Sequence, residues 1–205
     1  DLPLRELHVL TGFSHNQLVA MDREGALHSA EKELELCEKF SITPLFYQDK
    51  NYPRRLRQCP DAPVVLYQKG SADLNARRLM AVVGTRNLTE YGRELAADLI
   101  AGLEQSNTVV VSGLALGVDA VAHRASLKHQ FPTVGVLGNG LNEVFPKRNE
   151  ALAEEMLASG GALVSEYPYF APAVRENFPV RNRIVAGLCD AIVVVESKER
   201  GGSLI

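Results

Sequence analysis

The stretch Asn177-Phe178-Pro179-Val180-Arg181-Asn182-Arg183 holds an aromatic ring, two guanidiniums and two amides, and Arg175 precedes it in a proline-containing loop. Guanidiniums neutralise phosphates, and an aromatic face stacks a nucleobase at about 1–3 kcal/mol per base. The same composition also suits a loop pinned by Phe178 in a core, with its arginines in ion pairs. The residues alone leave both readings open. Arg86 directly follows an apolar run and Gly84-Thr85. A guanidinium there suits a forked contact to phosphate, or a pair with a helix carboxylate.

Small residues recur at comparable places. Gly84-Thr85-Arg86, Ser112-Gly113-Leu114-Ala115-Leu116-Gly117, Gly138-Asn139-Gly140, Ser165-Glu166-Tyr167-Pro168 and the stretch from Glu196 to Ser203 each follow an apolar run. Glycine lets a backbone approach a ligand, and a helix N-terminus offers free N–H groups to an anion. Each turn alone is explained by tight geometry. Together they point to a phosphate-bearing guest.

Other chemistries fit poorly. No GxGxxG dinucleotide loop and no GxxxxGK[ST] phosphate loop occurs. Ser112, Asp119 and His123 are triad residue types, but Asp119 and His123 stand i,i+4 on one expected helix, and Ser112 lacks a GxSxG elbow. His123 is read as a packing or capping residue. Glu166 and Glu196 end two strands. Acid–base chemistry or ribose binding would suit that place, and orientation of crevice arginines is the reading adopted. The cysteines Cys37, Cys59 and Cys189 form no CxxC pair, so neither a zinc site nor a disulfide framework is expected, and a reducing, cytoplasmic compartment is.

These residues must be positioned by the elements around them. From residue 79 onward, apolar runs at 79–83, 108–111, 133–137, 162–164 and 191–195 alternate with helical stretches near 89–105, 118–129, 148–158 and 181–189. That alternation predicts an α/β fold, a Rossmann-like parallel sheet buried on both faces. Ligands of such sheets bind outside the carboxyl ends of the strands, where the glycine turns fall. Residues 4–40 read as helices, with Ser14 capping one of them and another near 29–40. Residues 44–78, with Pro44, Pro53, Pro60 and Pro63, read as a connecting segment with one short strand at Val64-Val65-Leu66-Tyr67.

Composition bounds the rest. The 205 residues are 46% hydrophobic and 23% charged, which excludes wholesale disorder. No apolar run approaches the roughly 18 residues of a membrane helix, and Asp1-Leu2-Pro3 does not begin a signal peptide. A start without Met suggests a processed or trimmed chain. Net charge is -3 but uneven: -5 over residues 1–49, +6 over 50–89 and -4 over 90–205. An anionic partner is therefore met by a local patch.

At these residues the sequence resembles the DNA-processing protein A family (DprA, also called Smf). The likeness covers residues from about 43 to 205, in family order. It begins with Tyr52-Pro53-Arg54-Arg55-Leu56, Pro63-Val64-Val65-Leu66-Tyr67 and Gly70. Val82-Val83-Gly84-Thr85-Arg86 with Tyr91-Gly92 follows, then Ser112 to Asp119 with Ala122-His123, then Leu137-Gly138-Asn139-Gly140-Leu141 with Phe145-Pro146 and Asn149. Ser165-Glu166-Tyr167-Pro168 and Asn177 to Leu188 are its most specific parts.

The resemblance implies an extended Rossmann fold that binds single-stranded DNA with little sequence preference. It implies loading of the RecA recombinase in natural transformation and DNA recombination, with no catalysis and no cofactor, and a homodimer formed through this domain. By position, Arg86 would hold phosphate, Arg175 would contact DNA, and Phe178 would meet a base. Arg181, Asn182 and Arg183 would complete the pocket, with Ser112 and Gly113 offering hydroxyl or backbone donors. Residues 1–43 would form a small N-terminal helical domain, sterile-alpha-motif-like or helix-hairpin, 44–78 the connection, and 79–205 the DNA-binding domain, cut short at its C-terminus. Gly201 stands where the family usually has serine, and the chain ends inside that turn, so further strands are expected in the parent protein. Family dimers use surface near that missing part. The competing reading is a nucleotide phosphoribohydrolase of the lysine-decarboxylase-like (LOG) group. Its PGGxGTxxE loop is absent here; Gly201-Gly202-Ser203 comes nearest and lacks the glutamate.

Overall fold

The structure is a computed structural model that describes residues 3–103 and 106–197. The Gly201 turn lies outside the described residues. Two compact units are present, residues 1–36 and 37–205.

In the first unit, α1 (Leu4–Thr11) ends at Gly12, whose φ of 70° suits glycine. Helix α2 (His15–Val19) starts with the capping expected at Ser14: the Gln17 amide donates to Ser14 Oγ, and the Ser14 amide donates to Gln17 Oε1 at 2.9 Å. Helix α3 (Arg23–Lys39) starts earlier than the residue 29 that the sequence suggested.

The second unit contains β1 (Ile42–Phe46), α4 (Arg54–Arg57), β2 (Val65–Gly70), β3 (Arg78–Gly84), α5 (Glu90–Ala101), β4 (Thr108–Ser112), α6 (Val118–Lys128) and β5 (Thr133–Val136). A 3-10 turn (Lys147–Asn149) then leads into α7 (Glu150–Ala158), followed by β6 (Ala162–Ser165), α8 (Asn177–Gly187) and β7 (Ala191–Val195). The sheet order is β1-β2-β6-β5-β4-β3-β7. The five expected strands, β3 to β7, are parallel neighbours.

The sheet is mixed, however, because β1 and β2 join antiparallel beside β6. Residues 42–70 therefore build two sheet strands where the sequence suggested one. Pro44 hides β1: proline cannot donate to a ladder and is tolerated only at an edge, which is where β1 lies. Helix α8 begins at Asn177, before the expected 181. Pro179 falls in its first turn, where an amide hydrogen would lack a partner anyway.

Alternation along the strands divides the core. On β4, Val109 and Val111 pack with Leu56, Ile184 and Leu188, whereas Val110 faces Ile100, Val118 and Ala122 on the other side. From β3 the chain steps outward through β4, β5 and β6, and β7 returns to the opposite flank of β3. The direction thus reverses between β3 and β7, the kind of crevice where open α/β sheets receive ligands.

Candidate functional site

Arg86 sits at that reversal. The Thr85 amide donates to the Glu196 carbonyl at 2.8 Å, and the Val118 amide donates to the Thr85 carbonyl at 3.2 Å. Gly117 has φ of 81°, and a Cβ there would meet the Thr85 carbonyl and lie 2.7 Å from the Arg86 Cα. The turn carrying Arg86 thus rests on a backbone surface that only glycine provides. The Arg86 side chain is exposed and makes no hydrogen bond or ion pair with a described residue.

Glu196 does not orient an arginine as expected. Its carboxylate accepts from the Thr89 amide at 2.9 Å and from the Thr89 hydroxyl, at the start of α5. Those hydrogen bonds to the charged form hold its pKa below the ordinary carboxylate range.

Beneath the crevice lies a buried polar frame. The Ser112 hydroxyl donates to the Val82 carbonyl at 2.6 Å. The Gly113 and Ala115 amides donate to Asp119 Oδ2 at 3.0 and 3.3 Å. Arg181 is 5% exposed. Its Nη1 donates to the Gly113 carbonyl at 2.6 Å and to the Val136 carbonyl, joining the carboxyl ends of β4 and β5. Its Nε donates to Asn182 Oδ1 at 3.3 Å. A Cβ on Gly113 would lie 2.5 Å from the guanidinium, so the glycine makes room for it. Burial pushes the Arg181 pKa down, opposed by the Asp119 charge; burial pushes Asp119 up, opposed by Arg181.

These contacts correct three expectations. Ser112 and Gly113 do not offer donors to a ligand, because both donors already serve internal acceptors. Arg181 does not line an open pocket, because strand-end carbonyls hold it inside. Asn182 is half-buried and supports Arg181.

Arg183 is also held from within. Its Nη2 donates to Glu166 Oε2, and its Nε lies 3.5 Å from Asp61 Oδ2. Glu166 thus takes the orienting role expected of it. Phe178 is half-buried, and its ring lies over Gly138, where a Cβ would be 2.9 Å from a ring carbon. The Phe145 ring stands 5.3 Å from it, centroid to centroid. Arg175 is exposed in the loop before α8. The residues singled out from the sequence therefore divide into an accessible layer (Arg86, Arg175 and Phe178) and a frame below it (Ser112, Gly113, Arg181, Asn182 and Arg183).

Sequence reasoning missed one feature. Arg86 also walls an open cleft of about 360 Å³ with Arg93, Arg124 and Arg148. These three stand on α5, α6 and the 3-10 turn, each at an exposed position that reads as an ordinary solvated cation. Only the topology brings them together. Among the described residues no three His, Cys, Asp or Glu side chains converge as metal ligands, and no helix is long and apolar enough to cross a membrane.

Residues 43–205 match the model of the DNA recombination-mediator protein A family. The chain is 39% identical over 207 residues to the DNA processing protein DprA of Streptococcus pneumoniae, covering 100% of this chain and 71% of that protein. It is 41% identical over 217 residues to Protein Smf of Escherichia coli, covering 100% of this chain and 58% of that protein. The DNA processing protein DprA of Bacillus subtilis is 40% identical over 165 residues, 80% of this chain and 55% of its own length. The chain thus spans between half and three quarters of these relatives.

Among solved structures, the Streptococcus pneumoniae protein superposes with a TM-score of 0.78 at 33% identity, covering 100% of this chain and 70% of that one. The Helicobacter pylori DNA processing protein A, solved for its unique single-stranded DNA binding mode, superposes with a TM-score of 0.71 at 28% identity. That match covers 80% of this chain and 74% of that one.

Proposed function

The chain belongs to the DNA recombination-mediator protein A family, and on that footing we propose that it binds single-stranded DNA with little sequence preference and without catalysis. The observation that carries this reading is the exposed Arg86 guanidinium at the reversal between β3 and β7. A cation there with no described carboxylate partner suits a polyanion. Arg175 neutralises a further phosphate, and the exposed part of the Phe178 ring stacks a base. Arg181 and Arg183 act as the frame that holds this layer.

The state of the carboxylates supports a binding role over hydrolysis. Asp119 is buried under two amides and Arg181, Glu166 is paired with Arg183, and Glu196 caps α5. Among the described residues, these crevice carboxylates are all engaged by internal partners. Loading of the RecA recombinase, a homodimer and a cytoplasmic location complete the proposal, and these rest on the family resemblance.

The test is a band shift of single-stranded against duplex oligonucleotides across a salt series. Single strands should bind more tightly, and the log–log slope of affinity against salt should grow by about 0.7 for each phosphate contacted. Arg86→Gln and Phe178→Ala should both weaken binding, the first lowering the slope and the second leaving it. Equal binding of duplex, or indifference to both substitutions, overturns the reading.

A further inference from the structure

We propose that the arginine-lined cleft beside Arg86 is a second anion subsite, which takes successive phosphates of a nucleic-acid strand as it leaves the Phe178 side of the crevice. The inference rests on the single-strand binding proposed above and extends its path. Arg86 on the β3–α5 turn, Arg93 on α5, Arg124 on α6 and Arg148 on the 3-10 turn wall one open space of about 360 Å³. Among the described residues no aspartate or glutamate lines it. The volume lies within the range of small-ligand sites.

Four like-charged guanidiniums line one cleft, and a bound anion would relieve the repulsion that water only screens. The chain as a whole carries -3, so this concentration of positive charge runs against its overall balance. The described ion pair among them is Arg93 Nε to Glu90 Oε2 at 3.4 Å, with side chains 52% and 77% exposed. An exposed i,i+3 pair of that kind is weak and yields readily to a phosphate.

The cleft floor suits a strand. Gly117, which has no side chain, and Ala120 in the first turn of α6 leave room for a phosphate to come close. Leu88, Leu116 and Val121 supply apolar walls that fit a sugar. Arg86 stands both at the reversal between β3 and β7 and in the cleft wall, so a strand held by it has a route from one to the other. Such a route favours a polymer with repeating phosphates over a free anion.

The test compares the full chain with the R93Q/R124Q double variant, using fluorescence anisotropy on a short strand that fills only the Phe178 crevice and on a longer one. Both arginines are exposed, so the variant should fold, and an unchanged melting temperature checks this. On the long strand the slope of log affinity against log salt should fall by about 1.4, two contacts at ~0.7 each, with a roughly ten- to thirtyfold loss near ~0.1 M salt. Short-strand affinity should be unchanged, and R93K/R124K should recover most of the loss.

Unchanged long-strand binding in R93Q/R124Q, with Arg86→Gln still weakening both lengths, overturns this inference and leaves the proposed function standing. A melting-temperature rise with inorganic phosphate that the double variant loses, without any change on the long strand, makes the cleft a small-anion site and also overturns it. A wild-type chain that binds neither strand overturns the proposed function and this inference with it.

Discussion

Arg181 Nη1 donates to the carbonyl of Gly113 at 2.6 Å, across 68 residues of sequence. A guanidinium is thereby committed to holding two strand ends together under the crevice, with the Asp119 carboxylate opposing the pull of burial on its charge. Burying such a pair is costly unless its hydrogen bonds are complete. Here the carbonyls of Gly113 and Val136, the amide oxygen of Asn182 and the amides of Gly113 and Ala115 supply them.

Gly113→Ala tests this arrangement. Its new methyl group would lie 2.5 Å from the guanidinium and displace it from its carbonyls. Loss of a hydrogen bond to a charged group costs about 1.5–3 kcal/mol. The denaturant midpoint should fall accordingly, with the m-value unchanged.

Two arginines close in sequence role should behave oppositely. Arg183→Met leaves the Glu166 carboxylate without its partner, and stability should drop by about 1–3 kcal/mol. Arg86→Gln removes an exposed cation and should change stability by less than about 0.5 kcal/mol. The salt slope of single-strand binding should fall by ~0.7 for Arg86→Gln and stay level for Arg183→Met. Chemical denaturation beside anisotropy separates the two. A slope drop at Arg183 and none at Arg86 reverses the assignment of frame and contact.

His123 predicts a pH dependence. Thr133 directs its hydroxyl hydrogen to the Val110 carbonyl at 2.8 Å, so His123 Nδ1 must be the donor to Thr133 Oγ1 at 2.7 Å. Nε2 is then a buried acceptor without a partner. Burial first, then the Arg181 and Arg124 charges, lowers its pKa from 6.5 to about 3. The unfolded chain gains a proton below pH 6.5 that the folded chain refuses. This group's contribution is therefore complete above pH 6.5 and falls by up to about 1.4 kcal/mol per unit as the pH drops toward 3. Wild-type stability should fall relative to that of His123→Leu by that slope between pH 6 and 4. Parallel curves would refute the neutral assignment.

Gly117→Ala strains a backbone with φ of 81° and presses on the turn that carries Arg86. Backbone strain of this kind costs about 1–3 kcal/mol. Single-strand affinity should fall in the same variant, with the reduced salt slope expected of Arg86→Gln. An intact slope would mean that the turn adapts.

The parallel core was legible because its strands are short, mostly apolar runs and several end in small residues, as in Thr108 to Gly113. The cap at Ser14 was legible because Gln17 stands three residues on. β1 was not, since Pro44 contradicts a strand unless its edge position is known. The accessible part of the site, Arg86, Arg175 and Phe178, could be picked from residue type. The frame could not. Nothing local distinguishes Arg181 from Arg183, and only three-dimensional placement puts one on carbonyls and the other on carboxylates. The arginine cleft escaped for a related reason, being assembled from three separate elements with no shared motif.

The reach of Arg181 back to Gly113 also sets an order of events at the ribosome. At ~5–20 residues per second, translation needs about 3–14 s to pass from one residue to the other. During that interval the emerging chain carries the top of β4, and later that of β5, without the guanidinium that ties them. The frame beneath the proposed contact layer is thus tied only once α8 has been made, with β7 still to follow.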